Sequence, residues 1–372
     1  MMISSSLRTW AAPLALGLLA ALAAACEPGG DRPGWHGDGA LAPPPLVGPP
    51  PRYVVELPAE SELPFPPRHF VEVAPDLLVA ADPHAPVLWR LRLDGGAARL
   101  ERAHELSPDP RARVAALSAG GGTLAALERG GRITLWDPLT WARHGELSAR
   151  APVSGRFAGM ASLADGTPVL LFREAVPDGS RSLPLLQHVL RLVPLDGAPA
   201  RVLWTDTPVE LVRAGFDQRF LSAHGRSLAL SGELPPRVLV LEADSPAGAR
   251  TIALEGAPPR RVSAAERAEL EAEIRAAPAE LRRQAWVPEL YPAVSRAWTD
   301  GDGILVWAAA AGETMLLERY CGGAYRGTLL TRRSWREVAV LPTWVVAVSD
   351  VGTGGDMRLE LFERAGLEPR CP

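Results

Sequence analysis

The chain has 372 residues and a formal net charge of −4, and it is 47% apolar against 22% charged, the balance of an ordinary globular protein. Its 37 prolines and 35 glycines interrupt the sequence too often for a coiled coil, and without a strict Gly-X-Y period they exclude collagen. Lysine and asparagine are absent, so all 39 basic residues are arginine, which excludes a Schiff-base lysine, a P-loop lysine, an Asn metal ligand and an N-linked glycan acceptor.

Residues 1–25 read as a signal peptide. A single charge at Arg8 precedes an uncharged run from Ala11 to Ala25, and small residues lead up to Cys26. That run is 15 residues long, short of the ~18 needed to span a bilayer as a permanent helix. Leu22-Ala23-Ala24-Ala25-Cys26 resembles a bacterial lipobox, which implies a lipidated Cys26 as the first mature residue. It departs from that pattern at Ala23, where leucine is usual. The other reading is ordinary cleavage after Ala25 and a freely secreted protein. Residues 26–52 then form a tether: 14 of the 26 residues from Glu27 to Arg52 are Pro or Gly. Pro43–Pro45 and Pro49–Pro51 favour extended polyproline II, which at ~3.1 Å per residue spans several nanometres.

From Tyr53 onward, short apolar runs alternate with Gly, Asp and Pro turns, the pattern of consecutive antiparallel strands. Six adjacent pairs stand out: 77–81 with 87–93, 123–127 with 132–137, 167–173 with 189–194, 227–231 with 238–242, 304–308 with 315–319, and 344–349 with 357–363. Inner strands precede most pairs (113–117, 157–161, 294–298, 336–341), and outer strands follow several (142–147, 201–205). Four strands per unit, repeated six times, predict an all-β fold, a six-bladed β-propeller over residues 53–372. The last unit shows only three strands, and the isolated segment 53–57 is expected to supply its fourth and close the ring. A β-sandwich is the competing architecture.

One segment, 263–285, breaks the β pattern between the fourth and fifth units. Ser263-Ala-Ala-Glu266 forms a capping box, and Leu270, Ile274, Ala277, Leu281 and Ala285 follow at helical spacing. Pro278 must kink or split that helix. Its apolar stripe suits either a lid over the channel or an inert cap. The following run, Tyr291-Pro-Ala-Val-Ser-Arg-Ala-Trp-Thr-Asp-Gly-Asp-Gly-Ile-Leu-Val-Trp307, and the tail Trp335–Glu363 resemble bacterial six-bladed propellers of the TolB-like and NHL-like group. The resemblance covers residues 53–365 and implies an exported propeller, largely without implying a chemistry.

Cys321 and Cys371 remain as an even pair once Cys26 is lipidated, and an oxidising compartment would join them. Closing their 50-residue loop stabilises a fold by roughly 4 kcal/mol on the chain-entropy model. Two buried free thiols are the alternative. An arginine lies near the start of each inner strand: Arg68, Arg113, Arg156, Arg213, Arg296 and Arg336. Crowded at one mouth of a channel, these would form an anion-attracting funnel. With arginine this frequent, chance placement explains the same pattern. Asp300-Gly-Asp302-Gly resembles half a calcium loop without the later ligands, and reads equally as a tight turn. No metal site, no cofactor and no catalytic group is assigned. The acidic balance argues against nucleic acid. The sequence therefore describes an exported, membrane-anchored propeller of the cell envelope that binds a protein partner or a small ligand, an anionic one if the arginines form a funnel. The alternative is a metal-dependent hydrolase or lactonase acting in the channel.

Overall fold

The computed structural model describes residues 48–57 and 68–372, apart from short stretches between elements; the longer of these are 108–113, 149–154, 178–184, 211–218, 255–259, 283–286, 310–313 and 352–355. Six antiparallel sheets form a ring of blades, each following the chain outward from the axis. Blade 1 comprises Arg68–Ala74, Leu77–Ala81, Val87–Asp94 and Ala97–Glu105, and blade 2 comprises Val114–Gly120, Thr123–Glu128, Arg132–Trp136 and Arg143–Ser148. Blade 3 comprises Gly155–Ser162, Pro168–Val176, Leu185–Leu192 and Arg201–Thr205, with Val209–Glu210 pairing beside the outer strand on its third strand. Blade 4 comprises Phe220–His224, Ser227–Ser231, Arg237–Glu242 and Ser245–Ala253, and blade 5 comprises Val294–Asp300, Gly303–Ala309, Thr314–Cys321 and Ala324–Arg333. Blade 6 has Trp335–Val340, Trp344–Val351 and Asp356–Glu363, and its fourth strand is Tyr53–Glu56 from the start of the fold. That strand aligns Tyr53 with Leu361 and Glu56 with Arg358.

The ring follows from the second strands. Leu77–Ala81 is buried at every position, so the sheet must be covered on both faces. Alternate residues face opposite sides of a sheet, and here they enter different cores. Leu78 and Ala80 pack in a cluster with Trp344, Val346 and Leu361 of blade 6, whereas Val79 and Ala81 pack with Val114, Leu117 and Leu124 of blade 2. The same division recurs around the molecule, and six apolar clusters fill the six interfaces between neighbouring blades. The cluster between blades 6 and 1 contains Val55, so the first strand of the chain seals the last gap. Trp89, Trp307 and Trp344 lie in these interfaces, 7–8% exposed, as core rather than as open platforms.

Polar ties reinforce the apolar seams. The Ser162 hydroxyl donates to Ser118 at 2.6 Å between blades 2 and 3, and that of Ser222 donates to the Ala297 carbonyl at 2.9 Å between blades 4 and 5. Trp344 Nε1 donates to the Pro75 carbonyl at 2.7 Å, tying blade 6 to blade 1. Between blades 4 and 5 the chain makes an excursion clasped by a two-residue ladder, Arg260 opposite Tyr291 and Arg261 opposite Leu290. The excursion carries the helix Ala264–Ala276, anchored by the fully buried Leu270. Ser263 and Pro278, the predicted cap and kink, lie outside the described residues. Among the described residues no helix is long and apolar enough to cross a membrane.

Candidate functional site

On one face of the ring, turns joining the first and second strands meet the neighbouring blade between blades 2 and 3, 3 and 4, and 6 and 1. Ala164 N donates to the Gly225 carbonyl at 2.9 Å, and Arg226 bridges Asp165 at 3.0 Å. Gly120 and Gly166 sit backbone to backbone; a Cβ on Gly166, where φ is +86°, would come within 2.7 Å of the Gly120 carbonyl oxygen. Thr343 donates to Glu72 through its backbone N–H at 2.8 Å and its hydroxyl at 2.6 Å.

On that face, between blades 4, 5 and 6, lies a cavity of about 430 Å³. The blades supply His224, Asp300, Arg319 and Pro342, and the C-terminal tail supplies Arg364, Arg370 and Cys371 among others. The tail reaches the cavity because the chain turns back after Glu363 through a short 3₁₀ turn, Arg364–Gly366. Leu367 then buries completely in the core between blades 5 and 6. Cys371 is bonded to Cys321 at the end of blade 5's third strand, with Cα atoms 5.7 Å apart. The Cys371 sulfur rests over Gly303, where an added Cβ would lie 2.8 Å from it.

Charge gives this cavity its character. Asp300 Oδ2 accepts from Arg319 Nη2 at 2.5 Å, and its Oδ1 accepts from Arg364 Nη2. Arg364 Nη1 also donates to the Leu341 carbonyl at 3.1 Å. The side chains of Arg319 and Arg364 are only 5% and 9% exposed, so their charges are largely removed from water. Guanidinium groups stay protonated even when buried, and they require anionic partners there. The Asp300 carboxylate thus accepts from both of these groups. Arg370, 61% exposed, adds a third guanidinium at the opening. It donates to the Ala365 carbonyl and lies 3.5 Å from the exposed Glu368 carboxylate. Planar N–H forks lining an open hollow suit a carboxylate or phosphate.

The arginines singled out along the inner strands are placed differently. Arg296 pairs with Glu337, donates to the Val338 carbonyl at 3.3 Å, and lies over the rings of Phe220 at 5.2 Å and Trp307 at 5.6 Å. It thus spans three blades as a structural tie. The backbones of Arg68, Arg156 and Arg336 lie in first strands, whereas Arg113 and Arg213 lie outside the described residues. The register slips near the entry of the first strand in blades 1, 2, 3, 5 and 6. Such bulges re-aim side chains, so equal positions in the sequence repeat do not imply equal directions in space.

The sequence reading missed the Asp300, Arg319, Arg364 and Arg370 cluster. A signal was present: Arg319 lies two residues before Cys321 and Arg370 one before Cys371, so joining the cysteines also joins the arginines. Asp300, read as half a calcium loop or a turn, is the carboxylate shared by two arginines. Among the described residues no three His, Cys, Asp or Glu side chains cluster closely enough to hold a metal ion.

No protein-family model matches the chain, and no curated protein matches it. Solved structures are similar to it at low identity. One is a chain of a nidogen/laminin complex, with 12% identity, a TM-score of 0.39, and coverage of 69% of this chain and 77% of that one. Another is a chain of the mitotic checkpoint complex, with 12% identity, a TM-score of 0.37, and coverage of 77% and 71%. U3-55K aligns over 85% of this chain and 100% of its own, with 9% identity and a TM-score of 0.45. The propeller assignment rests on the six sheets and their order.

Proposed function

We propose that this protein is an exported, membrane-tethered propeller that works as a binding module, holding a small oxyanion-bearing ligand in the cavity between blades 4, 5 and 6. The observation that carries this reading is the convergence of three guanidinium groups, two of them nearly buried, on one open hollow whose wall also holds Asp300. A ligand carboxylate or phosphate accepts from guanidinium N–H groups at this opening, and each charge-assisted hydrogen bond contributes about 1.5–3 kcal/mol. Isothermal titration of the folded protein with citrate, succinate and inorganic phosphate at low salt tests it. Saturable binding that weakens as salt rises supports the reading; no heat with any of the three ends it.

Export and tethering rest on the N-terminal segment. Gly48 packs against the Leu329 backbone, and Arg332 donates to the Pro49 carbonyl, so the chain leaves the propeller along the outer strand of blade 5. Drawn out as polyproline II at ~3.1 Å per residue, the sequence from Cys26 to Gly48 would span about 70 Å. A lipid on Cys26 would hold the ring that far from a bilayer. Wild-type protein expressed with its leader is expected to enter the detergent phase on cloud-point extraction and Cys26→Ser the aqueous phase. Identical partitioning would remove the lipid anchor from this account.

A further inference from the structure

The walls of the cavity are held in two different ways. His224, Asp300 and Arg319 belong to the blades. The near half of the tail is fixed by non-covalent contacts: Arg364 N donates to the Thr343 carbonyl at 2.9 Å, its guanidinium is on Asp300, and Leu367 is fully buried. Beyond Leu367 the character changes. Glu368, Arg370 and Pro372 are exposed, and the bonds of the Arg370 side chain run to Ala365 and Glu368, within the tail itself. The covalent link from this far half to the blades is the Cys321–Cys371 bond, and the Cys371 sulfur also lies 3.9 Å from the Tyr320 carbonyl oxygen. Arg370 stands at the cavity because the residue after it is stapled to blade 5.

We propose that the Cys321–Cys371 disulfide gates the oxyanion site: closed, it presents Arg370 to the cavity; open, it releases residues 368–372 and dismantles that wall. The inference rests on the oxyanion-binding reading above and adds its regulation. The step is a thiol–disulfide exchange with a dithiol reductant. One reductant thiolate attacks a cysteine sulfur and the protein S–S bond breaks. The mixed disulfide resolves as the reductant closes its own ring. The protein gains two electrons and two protons as two thiols, and the dithiol is oxidised to its disulfide. Arg319 and Arg364 stay on Asp300 after that exchange, so the blades keep the inner half of the site while its outer cation is lost. Full affinity is then confined to an oxidising compartment, where such a bond persists.

The experiment compares oxidised full-length protein, the same protein reduced with a dithiol, Cys371→Ser, and Arg370→Gln with its disulfide intact. Each is titrated with citrate and with inorganic phosphate, and hydrogen exchange is followed in the peptide 367–372. The expected result is at least tenfold weaker binding in the reduced protein and in both variants, with exchange of that peptide accelerated on reduction. Arg370→Gln keeps the staple and the fold, so it reads the loss of the cation even where Cys371→Ser fails to fold. Equal affinity in oxidised and reduced protein, or unchanged exchange in the tail, overturns the gate while oxyanion binding stands. Absence of binding to the oxidised protein overturns both.

Discussion

At the scale of single residues, Glu318 is an acid that burial disfavours in its charged form. It lies on the third strand of blade 5, facing the apolar core shared with blade 4, and is 4% exposed. Burial pushes its carboxyl up to about 6, against partial relief from the Tyr320 hydroxyl, which donates to it at 3.0 Å, and from Thr328. Burial, together with the charge of Glu318, pushes the Tyr320 phenol upward as well. An acid whose folded pKa lies above its unfolded value binds its proton more tightly when folded. Its contribution is fully present below about 4.5 and is lost as pH rises through about 6. The shift corresponds to about 2 kcal/mol. Glu318→Gln is therefore expected to be about 2 kcal/mol more stable than wild type at pH 8, with the difference vanishing near pH 4.5. Urea denaturation of both proteins at the two pH values measures this; a variant less stable than wild type at pH 8 would show that the carboxylate is stabilising where it sits.

At the scale of elements, strands buried on both faces could be read and strands at the rim could not. The second strands are nearly continuous apolar runs, as Leu124–Leu127 and Val345–Val348 illustrate, and these stood out in the sequence. The outermost strands Ala97–Glu105 and Ser245–Ala253 have one face in water and are mostly exposed or half-buried, so neither apolar run nor clean alternation marks them. The candidate site was hidden for a related reason. Its residues come from turns of three blades and from a tail that folds back, and no local periodicity connects Asp300 with Arg364, 64 residues away. Tight fit of the tail gives an element-scale prediction. Gly303→Ala places a methyl where the Cys371 sulfur lies, so the tail must shift or the bond must strain. A loss of about 1–3 kcal/mol is expected, the usual cost of overpacking, together with slower re-oxidation of the Cys321–Cys371 pair. Thiol titration during refolding checks the second effect; wild-type re-oxidation kinetics would contradict the close seating of the tail.

At the scale of the whole molecule, closure was legible because six repeats left one unit a strand short and one strand without a unit. The structure joins them, and the pairing of residues 53–56 with 358–361 makes the ring's integrity depend on its first strand. Val55 is the buried residue of that strand, packed in the core between blades 6 and 1. Val55→Asp places an unpaired charge there and is expected to cost 3 kcal/mol or more, with order of magnitude ~3–5 kcal/mol for an uncompensated buried charge. Thermal denaturation should show it, whereas Val54→Asp on the exposed side of the same strand should change stability by less than about 0.5 kcal/mol. Equal effects at the two positions would contradict the register.

The proposed oxyanion site is where the closed ring, the turned-back tail and the oxidised staple come together. The most direct test is a crystal of the oxidised protein grown with selenate, a tetrahedral oxyanion visible by its anomalous scattering. The account predicts a selenium peak between blades 4, 5 and 6, with oxygens within hydrogen-bonding distance of Arg364 and Arg370. Selenate bound elsewhere with that cavity empty, or no ordered selenate at all, would contradict it.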